Sequence, residues 1–176
     1  FPLGWSTIVN STSTSALVQT YTSSPNSAPN SVRLYNAADS AAELILISPP
    51  FGAAIDMSAV RIRMMAKGGT TNYNLHVGTM SNPADAATFS MAQDLAIASG
   101  WNEYVINLTD HTAAGQFIAI KHGLGATSRS LYVDDITFEL IAPNDLAAIA
   151  ISGNTTPSVD MATNYSIDVY NNGTAT

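Results

Sequence analysis

The chain has 176 residues, enough for one full domain with a real core and a piece of a second. Apolar residues make up 46% and charged residues only 11%, against roughly 25% charged in an average soluble protein, a mix that excludes intrinsic disorder. Thirteen acidic against six basic residues give a net charge of −7; Arg33, Arg61, Arg63, Lys67, Lys121 and Arg129 are too few and too scattered for a nucleic-acid patch or for docking on an anionic membrane.

Short apolar runs with a period of two recur along the chain, and amphipathic helical spacing is nearly absent. The opening Phe1-Pro2-Leu3-Gly4-Trp5 carries no secretory leader and reads as a processed or trimmed start. Residues 11–31 are rich in Ser and Thr and predict a long loop, with weaker strand signals at 16–21 and 31–35. Leu44-Ile45-Leu46-Ile47 is apolar on both faces, as a central sandwich strand can be. Val60, Ile62 and Met64 alternate with Arg61 and Arg63, and Tyr73, Leu75 and Val77 alternate with Asn74 and His76, so each strand has one buried and one wet face. Residues 81–92 are less regular, with a turn at Asn82-Pro83 and a short helical turn at Ala84 to Ala87. Tyr104, Ile106 and Leu108 alternate again, Phe117-Ile118-Ala119-Ile120 is apolar throughout, and residues 131–140 read as a long strand.

A first domain over 1–142 is expected to end near Ala142-Pro143-Asn144. Beyond it, Leu146 to Ile151 and Tyr165 to Tyr170 read as strands around a turn cluster, Gly153 to Pro157. Two strands cannot bury an independent core, so 143–176 reads as the start of a second, truncated β-domain. Eight to ten such strands indicate an all-β fold, a two-sheet sandwich or a barrel. No apolar run is long enough to span a membrane. The chain has no cysteine, so stability comes from packing, with a bound cation as the other available support.

The residues that carry chemistry are sparse. Histidine occurs only at 76, 111 and 122, without a Gly-x-Ser-x-Gly elbow, a His-Glu-x-x-His helix, a Walker loop or a dinucleotide fingerprint. Catalytic residues are therefore expected to be absent. Asp134-Asp135 is the only adjacent carboxylate pair; neighbours on a regular strand point to opposite faces, which rules out a glycosidase acid and base acting together. Arg61, Arg63, Asn74 and His76 form one polar, ligand-binding stripe if their two strands pair. Tyr21, Tyr35 and Trp101 can face solvent, with a packed position the stronger reading for Trp101.

Three stretches carry a resemblance. They are Leu3-Gly4-Trp5-Ser6-Thr7-Ile8; Leu75 to Asp85 with Thr88-Phe89 and Trp101 to Leu108; and Phe117 to Ile120 followed by Leu131-Tyr132-Val133-Asp134-Asp135-Ile136. In order and spacing, residues 1–141 resemble the choice-of-anchor J or cleaved-adhesin jelly rolls, which are MAM-like and akin to galactose-binding-like sandwiches. The tail Asn144 to Thr174 resembles the beginning of an immunoglobulin-like adhesion repeat. The resemblance implies a non-catalytic adhesion or carbohydrate-binding module of a secreted or cell-surface bacterial multidomain protein. Its implied partners are a glycan, a host or extracellular protein, and other domains of the parent chain. The alternative is a structural accessory domain of a secreted peptidase or other hydrolase, with no ligand of its own. Related jelly rolls hold Ca2+ with an Asp-Asp strand. Calcium takes six to eight oxygens, so Asp134 or Asp135 is expected to ligate a structural calcium ion, unless one carboxylate is solvated and the other accepts turn hydrogen bonds.

Overall fold

The computed structural model describes residues 1–69, 73–112, 115–142, 146–156, 159 and 162–171. The expected boundary at Pro143-Asn144, the end of the turn cluster at Pro157 and the tail from Asn172 on lie outside the described residues. The chain divides into two compact units, Phe1–Glu139 and Leu140–Thr176.

The first unit is an all-β sandwich. Its strands are β1 (Ser6–Asn10), β2 (Leu17–Tyr21), β3 (Ser31–Tyr35), β4 (Glu43–Ile47), β5 (Val60–Gly68), β6 (Tyr73–Met80), β7 (Phe89–Ile97), β8 (Asn102–Asn107), β9 (Phe117–His122) and β10 (Ser130–Leu140). One five-stranded sheet has the order β1-β4-β9-β6-β7, and the other has the order β2-β3-β10-β5-β8. Most connections cross between the sheets, as in a jelly roll. Short 3-10 turns at Met57–Ala59 and Ala86–Thr88 are capped by Asp56 and Asp85, each of which accepts a backbone N–H two residues on. The second of these is the expected helical turn near 84–87.

The alternation read from the sequence becomes the core. Val60, Ile62 and Met64 on β5, Leu75 and Val77 on β6, and Leu131 and Val133 on β10 are fully buried between the sheets with Leu44, Leu46, Ile118 and Ile120. The doubly apolar strands have a further cause. Ile45, Ile47 and Ala119 point the other way, into a second small cluster with Ile8, Met80 and Ala86, flanked by Phe89 and Phe117. Both faces of β4 are therefore removed from water. Edge strand β7 escaped the sequence reading because only Leu95 and Ile97 along it are buried.

A polar plug closes one end. Asn36 is fully buried; its amide donates to the carbonyls of Asp39 (3.0 Å) and Ala126 (2.6 Å), and its oxygen accepts from the Arg129 N–H (2.8 Å). Replacing it with leucine orphans all three groups. The Asn36→Leu variant is expected to lose about 3 kcal/mol, read as a lower urea midpoint at unchanged slope.

In the second unit, β11 (Leu146–Gly153) and β12 (Tyr165–Asn171) pair antiparallel as a two-stranded sheet. Ile151, Ile167 and Val169 remain more than half exposed. Two strands alone leave such side chains wet.

Candidate ligand-binding face

The four residues expected to form one stripe fall on opposite sheets. Arg61 and Arg63 lie on β5 and Asn74 and His76 on β6, and these strands belong to different sheets. The expected stripe is thus corrected: each strand buries its apolar residues against the other sheet, so their polar residues face opposite sides of the molecule. Each half is also engaged. Arg63 Nε meets Glu139 at 2.9 Å and Arg63 Nη1 meets Glu103 at 3.6 Å, while Arg61 reaches Glu139 at 3.7 Å and Asn107 at 2.9 Å. Asn74 donates to Asp94 at 2.8 Å, and His76 lies 3.6 Å from the same carboxylate.

A different constellation occupies the outer face of the β2-β3-β10-β5-β8 sheet. The register that buries Leu34, Ala66, Leu131 and Val133 turns Arg33, Tyr35, Lys67 and Tyr132 outward. The guanidinium carbon of Arg33 lies 4.3 Å from the centre of the Tyr35 ring and 5.6 Å from that of Tyr21. The Tyr21 and Tyr132 rings meet at 5.1 Å. Lys67 Nζ sits 5.2 Å from the Tyr132 ring centre and 4.7 Å from that of Trp101. All six side chains are half-buried. The row runs from Tyr21 on β2 across β3, β10 and β5 to Trp101, just before β8, and the steps from the Tyr21 ring through Tyr132 and Lys67 to the Trp101 ring span no more than about 15 Å. Cation–ring contacts of this kind contribute about 0.5–1 kcal/mol each at such sites. They hold the rings as a rigid row of aromatic faces edged with N–H donors. Arg33 is further fixed by Nε and Nη2 bonds to Ser130 Oγ (3.1 and 2.8 Å). Tyr21 and Tyr35 were visible in the sequence as aromatics able to face solvent, whereas a packed place was the stronger expectation for Trp101. Tyr132 and the two cations join them only through strand pairing.

Asp134 and Asp135 border this row, and they do not face opposite ways. Asp135 adopts a left-handed φ of 48°, which shifts the alternation by one residue: Leu131 and Val133 point inward before it, Ile136 and Phe138 after it. Both carboxylates reach the same loop between β2 and β3. Asp134 Oδ2 accepts the backbone N–H groups of Asn26 (2.8 Å) and Ser27 (3.0 Å), and its Oδ1 accepts the Asp135 N–H (2.9 Å). Asp135 accepts the Asn26 side-chain amide (2.7 Å) and the Ser27 hydroxyl. The expectation that the two carboxylates point to opposite faces is therefore corrected. Asp134 and Asp135 also line a hollow of about 550 Å3 that opens above Leu46 and is walled by Trp5, Val32, Ile136 and Phe138.

As calcium ligands, the pair fits poorly. Among the described residues, the hydrogen bonds of the Asp134 carboxylate all come from backbone N–H groups, whose positive ends occupy the place a cation would need. Around Asp135 the side chains gather only the Ser27 hydroxyl and the Asn26 amide, short of the six to eight oxygens calcium takes. Among the described residues, no three His, Cys, Asp or Glu side chains converge on one point.

Two histidines are built into the frame. His122 is buried; its Nδ1 accepts the Leu124 N–H (2.8 Å) and its Nε2 donates to the Arg129 carbonyl (3.2 Å). Burial pushes its pKa down to about 4, so it is neutral near pH 7. His111 meets the buried Thr79 hydroxyl at 2.8 Å, and burial lowers its pKa too.

Neither protein-family models nor curated protein sequences match the chain. Solved structures do. The K2 cleaved adhesin domain of Lys-gingipain superposes with a TM-score of 0.62 at 14% identity, over 79% of this chain and 90% of that domain. The K1 domain of the same protein, from Porphyromonas gingivalis W83, gives 0.60 at 14% identity, over 80% and 92%. A family 11 carbohydrate-binding module from Clostridium thermocellum, solved with a β-1,3-1,4-mixed-linked tetrasaccharide, gives 0.50 at 13% identity, over 76% and 87%. At these identities the likeness shows the fold: the chain is built as a two-sheet β-sandwich of the architecture seen in cleaved adhesin domains and carbohydrate-binding modules.

Proposed function

We propose that the sandwich is a non-catalytic binding module of an extracellular or surface protein, and that it takes an extended oligosaccharide along the Tyr35-Arg33-Tyr21-Tyr132-Lys67-Trp101 row. The carrying observation is that row. Planar aromatic faces stack on the C–H faces of sugar rings, and the flanking cations offer N–H donors to hydroxyls. Its reach of up to about 15 Å from Tyr21 to Trp101 suits several linked sugars better than one. Tetrasaccharide binding by a module of like architecture is consistent with this reading. So is the structural use of His122 and His111, which leaves them bonded to the frame. No helix among the described residues is long and apolar enough to cross a membrane.

The test is a glycan array followed by calorimetry on the best binder. Trp101→Ala and Tyr132→Ala are each expected to weaken binding about 10- to 100-fold, the range of central aromatic anchors. His76→Ala, on the opposite sheet, is expected to leave affinity unchanged. An array with no signal above background, or equal affinity for all three variants, sinks the proposal.

One observation favours the second reading, a structural accessory domain within a longer secreted chain. The β11–β12 sheet exposes Ile151, Ile167 and Val169, a surface that strands of an immunoglobulin-like repeat would cover. That reading expects deletion of the module to alter secretion or processing of the parent protein, with no change in ligand capture.

A further inference from the structure

We infer that Asp134 and Asp135 act as positioning residues for the aromatic row, clasping the β2–β3 loop by direct hydrogen bonds with no metal between. This inference rests on the proposed binding row, but its first readout does not require a ligand. The chain of contacts is continuous. The two carboxylates take the Asn26 and Ser27 backbone N–H groups, the Asn26 amide and the Ser27 hydroxyl. That holds the loop whose Ser24, in a left-handed conformation (φ 55°), aims its carbonyl back over the sheet. The Ser24 carbonyl accepts both Lys67 Nζ (3.0 Å) and Trp101 Nε1 (3.2 Å). One oxygen thus sets the two side chains that end the row, and the clasp sets that oxygen. Without it, among the described residues Lys67 and Trp101 keep their contacts with each other and with Tyr132, and the indole plane is free to turn. A single loop conformation also saves ordering entropy when a ligand stacks on Trp101.

A calcium ion would make a different prediction. It would draw oxygens toward the pair and orient the N–H groups of Asn26 and Ser27 away. Here those N–H groups are the ligands of Asp134.

The experiment uses the whole chain in a Trp5→Phe background, so that Trp101 is the only indole. Acrylamide quenching and emission maximum report its shielding. Asp134→Ala is expected to raise quenching and shift emission to the red, and to weaken oligosaccharide binding about tenfold. Asp134→Asn retains one oxygen for the two loop N–H groups and is expected to restore most of the shielding. Should Asp134→Ala fail to fold, the exposed double variant Asn26→Ala/Ser27→Ala removes both side-chain contacts to Asp135 and is expected to move quenching in the same direction. Unchanged quenching in the variant that folds overturns the clasp. So does a calcium-dependent gain in melting temperature or in Trp101 shielding over chelator. If the unmodified chain binds no glycan while Trp101 still responds as described, the clasp stands and the proposed function falls.

Discussion

The Gly78→Ala variant is expected to lose about 3 kcal/mol or more, or to fail to fold. Gly78 lies where β6 passes the irregularity in β7: Val77 faces Gln93, Gly78 faces Met91, and Ala92 is left without a partner. A Cβ built on Gly78 would stand 2.0 Å from the Ser90 carbonyl oxygen and 2.9 Å from the Met91 Cα. Both obstacles are backbone, so no rotamer change relieves the clash. Relief requires β7 to move off β6, which breaks the ladder and uncovers Leu95 and Ile97. The comparison is Gly52→Ala, where an added Cβ meets nothing within 4 Å; that change is expected to stay within about 0.5 kcal/mol. Urea unfolding of both variants checks the pair. A Gly78→Ala midpoint equal to that of Gly52→Ala would show that the bulge tolerates a side chain and that the β6–β7 register is wrong.

Stability is expected to fall by about 3 kcal/mol between pH 6.5 and pH 4 through His122 alone. The imidazole titrates near 6.5 in the unfolded chain, and burial lowers it to about 4 in the folded one. Between those values the unfolded state binds the extra proton and the folded state does not, so acid favours unfolding. Above pH 6.5 both states are neutral and the contribution is complete; below about 4 it is gone. Protonation would also place a donor on Nδ1, opposite the Leu124 N–H it now accepts. Urea melts at pH 7.5, 6, 5 and 4 on the parent chain and on His122→Gln isolate the effect. The difference in stability between the two is expected to shrink by about that amount across the window. A constant difference would refute a neutral, buried His122. Asp39 does not confuse the reading: the N–H groups of Thr12 and Ala41 and the Ser11 hydroxyl lower its carboxyl from 3.8 to about 2, so its loss sets in only at the acid edge of the window and is common to both chains.

The amino-acid order was informative wherever the fold is written locally. β3 at Ser31–Tyr35 was expected at 31–35, and the inward residues of β5 and β6 were read correctly from alternation, because a strand half in water must alternate whatever it pairs with. β7 was missed because an edge strand with few buried positions carries little of that pattern. Asp134 and Asp135 were assigned to opposite faces because alternation assumes a regular strand, and one left-handed residue at Asp135 reverses it.

The candidate site was legible only in parts. Tyr21, Tyr35 and Trp101 stood out singly as aromatics able to face water, while the polar stripe of Arg61, Arg63, Asn74 and His76 rested on pairing β5 with β6. Tertiary structure put those strands in opposite sheets, set β10 between β3 and β5, and so brought Tyr132 to Arg33 and Lys67. The division has one physical cause. Which face of a strand is apolar is a property of the strand alone. Which neighbour it takes is decided by long-range burial, since β5 and β6 each gain most by closing over the same core from opposite sides.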